Sequence, residues 1–485
     1  MMDQRRAPIA EAMRRYAGDG ALAFHTPGHK QGLGAHRLLR ELVTEEGLRE
    51  EVSLMAELDD LHAPATCIRE AQALAASLYG ADAAYFMVNG TTGAIQAMLM
   101  AVLRPGDEVL LPRNAHRSVL GAIVLSGAHP VYLQPEVHEG MGIAMGLPPE
   151  TVAKAVRKHP EARALVMVSP TYYGVASDLR RIAEILHRHG MLLLVDEAHG
   201  AHLRFSDDLP PQAMDAGADM AAQSTHKLLG SMTQSSLLLV RKGRVDLGRV
   251  QWAAGILQTT SPNQLLLASL DIARLQMAER GEELVGRAVR LSEELRRAVN
   301  GTDGLSAFGR ECMTTPGASA LDVTKVTVSV RGLGMSGAEA EHILRHAYKI
   351  QCELADAYHV LFIVSYADTQ REVERLRDSL ADLAGTYRKG SSFSLGCALP
   401  ETPPQRMTPR EAFFFPSVEV DFEKSIGQVS AEQVMFYPPG IPILCPGEEI
   451  TAECVDYVKR MKALGLKATG AIDIELRSIR VLSST

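Results

Sequence analysis

From residue 66 to about residue 275, short apolar runs alternate with longer stretches in which apolar residues recur at helical spacing. Short apolar runs bounded by turn residues read as buried strands, and the longer periodic stretches read as helices. Strands are predicted at 84–88, 108–111, 164–168, 191–195 and 237–240, and helices at 65–79, 93–103, 118–126 and 179–189. Alternation of this kind implies βαβ units, a mostly parallel sheet and helices on both faces, so the fold class is α/β. A short amphipathic helix is predicted within 1–20, followed by a Gly/Pro/His-rich loop at 21–34.

Past residue 275 the character changes. A long charged amphipathic helix at 270–300 reads as a spine between domains. Strands at 325–330 and 360–364 and helices at 337–347 and 369–387 make a small α/β domain. Residues 388–411 are rich in Pro and Ser and read as a connector. A rigid loop, YPPGIPILCPGEEI, then precedes a helix at 451–464. The expected domains are therefore 1–275, 276–387 and 388–485.

Composition narrows the class. The 485 residues, 46% hydrophobic and 22% charged, suffice for a large core and exclude a disordered chain or a disulfide scaffold. Lys+Arg number 50 against 58 Asp+Glu, a net charge of −8, which argues against a general nucleic-acid or anionic-membrane surface. The cysteines Cys67, Cys312, Cys352, Cys397, Cys445 and Cys454 are scattered with no C-x-x-C pair. They read as reduced thiols in a cytoplasmic protein. The N-terminus has no apolar secretory core, and no apolar run is long enough for a membrane span.

Three motifs carry chemistry. Asn89-Gly90-Thr91-Thr92-Gly93 follows a predicted strand and opens a predicted helix. Backbone N–H groups, hydroxyls and a helix N-terminus make a phosphate cradle, although an N-capped turn would use the same residues. Asp196 ends the apolar strand MLLLVD, where ligands meet open α/β sheets. The tetrapeptide DEAH also suggests a helicase, but the chain has no Gly-Lys dipeptide and hence no P-loop. Lys227 lies in Ser224-Thr225-His226-Lys227, among small polar residues beside an apolar run. A partly buried amine of this kind can form a Schiff base, whereas a surface lysine paired with a carboxylate is the plain alternative. Taken in order, the loop, the aspartate and the lysine supply what a pyridoxal phosphate (PLP) enzyme needs: a phosphate holder, a partner for the ring nitrogen and an amine for the aldehyde.

These residues sit in stretches that resemble the Orn/Lys/Arg decarboxylase family of fold type I PLP enzymes, closest to its short Gram-positive biosynthetic arginine decarboxylases. The stretches are HTPGHKQG (25–32), LDDLHAPATCIREAQALAASLYGAD (58–82), NGTTGAIQAM (89–98), RNAHRS (113–118), SPTYYGVASDL (169–179), VDEAHGAH (195–202), QSTHKLLGSMTQSS (223–236), TTSP (259–262) and YPPGIPILCPGE (437–448). The resemblance implies an aspartate-aminotransferase-like large domain with smaller C-terminal α/β domains. It makes Lys227 the Schiff-base lysine and Asp196 the partner of the ring nitrogen. His116 would stack on one ring face and Ala198 pack on the other. Gly90, Thr91, Thr92, Ser224 and His226 would hold the phosphate, with Thr259 reaching the phosphate of a neighbouring subunit. Glu448 would meet the cationic tail of the substrate, and His29 and Lys30 would line the entrance. For His116 and Thr259 the alternative is capping, and for Glu448 it is a solvated acid beside Glu449.

The implied reaction is α-decarboxylation of a basic L-amino acid, with arginine giving agmatine for polyamine synthesis and lysine or ornithine as the other substrates. His226 or Lys227 would return the proton to Cα. The TPGHK loop begins by residue 26, so the N-terminal wing of the larger enterobacterial members is missing, and a homodimer with a shared site is expected. The competing readings are a fold type I aminotransferase or lyase, an inactive PLP-fold regulator, and a metal hydrolase built on His25, His29, His199 and His202. The last leaves Lys227 and the phosphate loop without a role, and the expected set includes no metal ligand.

Overall fold

The computed structural model describes residues 3–389, 399–437, 440–463 and 466–483. Cys397 and two prolines of the YPPGIP loop, Pro438 and Pro439, lie outside them. The architecture is α/β with a mixed, mostly parallel sheet. The chain forms two compact units, 1–102 with 192–286 and 103–191 with 287–485.

The first unit holds strands Ala83–Met87, Ser236–Val240, Met220–Gln223 and Leu192–Asp196, in that spatial order. Leu192–Asp196 and Met220–Gln223 run parallel, with Asp196 opposite Ala222. Ser236–Val240 is antiparallel to both of its neighbours, a departure from the parallel expectation. Residues 224–235 connect it to Met220–Gln223, and the four-residue turn Thr225–Leu228 within them is no crossover helix of the kind that joins parallel strands. Every residue of Leu192–Asp196 and Ser236–Val240 is buried, which is why both read as unbroken apolar runs. Helix Gly90–Val102 is apolar nearly all round, as befits a helix buried in the unit. Helices Pro8–Gly18, Cys67–Leu78 and Leu247–Leu257 complete the unit, and the chain leaves it within helix Gln264–Asn300.

The second unit carries the parallel strands Ala164–Val168, Glu108–Pro112 and His129–Leu133. It also has an antiparallel sheet in the order Ser306–Ala307, Lys325–Ser329, His359–Ile363, Leu354–Ala355. Helices Gly337–His346 and Gln370–Thr386 share a core with that sheet, built on Val326, Val328, Val360, Leu380 and Leu383. A separate core around Phe422, Phe436, Tyr457 and Val481 holds the last segment, where Ser417–Asp421 pairs with Ser478–Leu482.

Candidate active site

Four chain segments of the first unit meet at one edge of its strands. Leu192–Asp196 and Met220–Gln223 end there side by side, and the Glu197 amide donates to the Ala222 carbonyl across the gap at 3.0 Å. Ala83–Met87 ends at the same edge and Ser236–Val240 begins there, because Met87 is registered with Ser236. The edge therefore gathers the Asn89–Gly93 loop, Asp196, the Ser224–Lys227 turn and Ser236.

The loop is shaped for close approach. Gly90 has φ +73° and nothing within 4 Å of where a Cβ would stand, and its amide donates to the Gln234 carbonyl at 2.7 Å. A Cβ at Gly93 would stand 2.1 Å from Asn89 Oδ1, so a larger residue there would displace the Asn89 side chain. The next amides, Thr91 and Thr92, stand in the first turn of a 13-residue helix, where N–H groups have no partner within the helix. Thr91 is buried, its hydroxyl bonded to those of Ser224 and Ser236, while Thr92 is exposed. Thr91 and Ser224, far apart in sequence, are thus brought together as expected.

Asp196 is 4% exposed, and its carboxylate accepts from the Ala198 amide at 3.1 Å. Glu197 beside it is fully buried, accepting from the Ala213 amide at 2.6 Å and from the Gln223 side chain at 2.7 Å. Burial pushes its carboxyl up to about 8.

Lys227 is exposed, which corrects the expectation of a partly buried amine. The turn Thr225–Leu228 buries Thr225 and Leu228 and leaves Lys227 on its outer side. The lysine ammonium donates to Nε2 of His199 at 3.0 Å. His199, read from sequence as a metal-ligand or structural histidine, is therefore part of the lysine's surroundings. His226 donates from Nδ1 to the Ser235 carbonyl at 2.7 Å, and burial pushes its imidazole below the ordinary value.

Other expected residues fare differently. Thr259 is exposed, its hydroxyl accepting from the Ser261 amide at 3.1 Å and its carbonyl from His62 at 2.9 Å; Asn263, not Thr259, accepts from the first turn of the next helix. His29 donates to Glu51 at 2.8 Å and Lys30 to the His25 carbonyl at 2.6 Å. In the second unit, exposed His116 caps helix Arg117–Ser126, with Nδ1 accepting from the Ser118 amide at 3.2 Å. Glu448 is a correction: at 1% exposure it is neither solvated nor directed at a substrate. Both of its oxygens accept from the Arg113 guanidinium, and one also accepts from the Cys445 amide at 2.7 Å.

A carboxylate that the sequence reading missed is Glu353. It accepts from the Tyr172 hydroxyl at 2.8 Å, and among the described residues no cation pairs with it. Tyr172 lies in the turn that follows Ala164–Val168, at the carboxyl end of a parallel strand. Among the described residues no group of three or more His, Cys, Asp or Glu gathers as a metal cage.

The residues of the first unit fit PLP. The amides of a helix N-terminus and the glycine-floored loop match a phosphate ester, a buried aspartate matches a protonated ring nitrogen, and an exposed lysine amine matches an aldehyde. Two buried polar atoms of these segments, Asn89 Oδ1 and Thr225 Oγ1, have no hydrogen-bond partner among the described residues.

Comparison with known proteins agrees. The profile of the Orn/Lys/Arg decarboxylase major domain matches residues 7–372, and that of the family's C-terminal domain matches 398–471. An arginine decarboxylase of Halalkalibacterium halodurans is 43% identical over 99% of both chains. One from Bacillus subtilis is 41% identical over 99% of both. An inducible lysine decarboxylase of Escherichia coli is 25% identical over 92% of this chain and 75% of its own. The crystal structure of the Francisella novicida lysine decarboxylase LdcF superimposes with a TM-score of 0.86 at 22% identity, covering 99% of this chain and 81% of that one.

Proposed function

The chain belongs to the Orn/Lys/Arg decarboxylase family, and from that premise we propose that it is a PLP-dependent enzyme converting L-arginine to agmatine and CO2. The observation that carries arginine over lysine is the whole-chain identity of 41–43% to arginine decarboxylases, against 25% to lysine decarboxylases. Bound PLP supplies the electron sink that accepts the pair left at Cα when CO2 departs. The lysine that carries it is Lys227, and Asp196 keeps the ring nitrogen protonated. Gly90, Thr91, Thr92, Ser224 and His226 would hold the phosphate, and Ala198 would pack against the ring.

Of the two candidates for returning a proton to Cα, Lys227 is the better. As an ammonium it carries a proton at neutral pH, whereas burial keeps His226 neutral with its Nδ1 hydrogen committed to Ser235.

The working form in this proposal is a homodimer. Leu22, Phe24, Leu33, Leu42 and Trp252 are each at least 74% exposed, and a second copy that covered them would gain their burial. Exposed Thr259 follows the helix that carries Trp252, which agrees with its reaching a neighbouring subunit. The five described cysteines are unpaired, which supports placement in the cytoplasm, and a dicationic amine product suits polyamine synthesis. No described helix is long and apolar enough to cross a membrane.

The test is CO2 release from L-arginine, L-lysine and L-ornithine separately, with PLP added. Arginine is the expected substrate. Release from another of the three instead would reassign the substrate, and silence from visibly yellow protein would keep the cofactor and remove the decarboxylase.

A further inference from the structure

The contact between His199 and Lys227 has no part in the reaction described so far. His199 is 6% exposed and lies three residues beyond the end of Leu192–Asp196, while Lys227 lies just beyond the parallel neighbour Met220–Gln223. The Asp196–Ala222 register fixes the separation of the two loops, and Nε2 of His199 stands 3.0 Å from Nζ of Lys227. An ammonium has only donors, so Nε2 is the acceptor and carries no hydrogen in this contact. A lysine amine with an ordinary pKa is almost wholly protonated at neutral pH and cannot act as a nucleophile until a proton is removed.

We infer that His199 is a positioning residue for the cofactor-bearing lysine, holding its amine in place and taking the proton it must shed before it can bond to an aldehyde carbon. The inference rests on the reading of Lys227 as the PLP lysine. The proton passes from Nζ to Nε2, and the freed lone pair bonds the aldehyde carbon. The imidazolium then returns its proton to the oxygen, the nitrogen gives up a second proton to it, and the oxygen leaves as water as the C=N bond forms. The product is a protonated imine beside a neutral His199, so charge and atoms balance. His226 cannot take the same part through Nδ1, which donates to Ser235.

The other titratable groups of the elements packed here are Asp196, Glu197 and His202 on the strand end and its loop, His226 on the lysine's own turn, and Tyr79, whose hydroxyl donates to Ala201. Each is retained in the variants below, so a change in pH profile reports on His199.

PLP is stripped from the full-length protein and added back, and growth of the yellow band is followed from about pH 6 to about pH 9, a range spanning imidazole titration. Wild-type uptake is expected to level off once imidazole is neutral. In His199→Ala, uptake at pH 7 is expected to be ~100-fold slower and to go on rising with pH, with imidazole in the buffer restoring it. Uptake in His199→Ala that matches wild type overturns the inference. So does full uptake with a wild-type profile in His199→Gln, which can hydrogen-bond but cannot titrate. If both variants misfold, the wild-type profile decides: uptake climbing steadily into the lysine range, with no inflection where imidazole titrates, overturns it. Wild-type protein that never turns yellow would instead defeat the cofactor assignment.

Discussion

Two sets of charged groups stand in this chain, one in each unit, and they are built on opposite plans. Arg113 and Glu448 are both buried, joined by two hydrogen bonds, and finished by the Pro442 carbonyl, the Cys445 amide and the face of Tyr132 at 4.7 Å. Lys227 is exposed, donates to His199, and stands at the strand edge that also carries Asp196. A charge whose bonds are completed inside the protein fixes a structure; an exposed charge at the carboxyl ends of parallel strands is placed to meet a ligand. Sequence motif alone placed Glu448 in the second class, and geometry moves it to the first.

The sharpest test of this contrast is Lys227→Ala. It should abolish CO2 release and the yellow colour while leaving the melting temperature of the cofactor-free protein nearly unchanged, because an exposed side chain is lost; a large drop between the two cofactor-free proteins would make the lysine structural. Glu448→Ala should do the reverse. It strands a buried guanidinium and is expected to cost about 3–5 kcal/mol in urea unfolding. If it raised KM for arginine without loss of stability, Glu448 would return to the substrate site.

Glu197 tests the boundary between the two plans. Its folded-state carboxyl lies at about 8 against an ordinary 4.5, so folding favours its protonated form. The stability this contributes is full below pH 4.5 and is lost as pH rises to about 8. Glu197→Gln should flatten that loss by up to about 1.4 kcal/mol per pH unit. The Gln223 oxygen, buried without a partner, is available to either neutral side chain once its amide turns over. Equal slopes in wild type and variant, by urea unfolding at several pH values, would show Glu197 to be ionised in the fold.

Much of the strand pattern of both units is legible in the sequence because most of these strands are buried on both faces and bounded by turns. The expected strand at 164–168 coincides with Ala164–Val168, and that at 191–195 is displaced by one residue from Leu192–Asp196. Met220–Gln223 escaped because its small residues, two of them alanines, carry no strand signal; pairing on both sides imposes it. His129–Leu133 escaped because a proline interrupts it, tolerated on a strand with a partner on one side. The loop, aspartate and lysine proposed to hold the cofactor stand out in the sequence because they ride on the strand–loop–helix pattern. His199 was not, since its partner lies in another loop and no spacing rule links two loops. Glu448 misled for the same reason: its buried guanidinium is far away in sequence.

The antiparallel strand of the first unit has a consequence for how the protein is made. Ala83–Met87 has its partner in Ser236–Val240, and the first unit is not complete until residue 286 has been added. At roughly 5–20 residues per second, the ribosome takes on the order of 10 s to deliver that partner. During that interval the nascent chain carries an apolar strand with an open edge, a natural client for a chaperone. The order of synthesis, and not the final packing, then decides how much of this enzyme escapes aggregation.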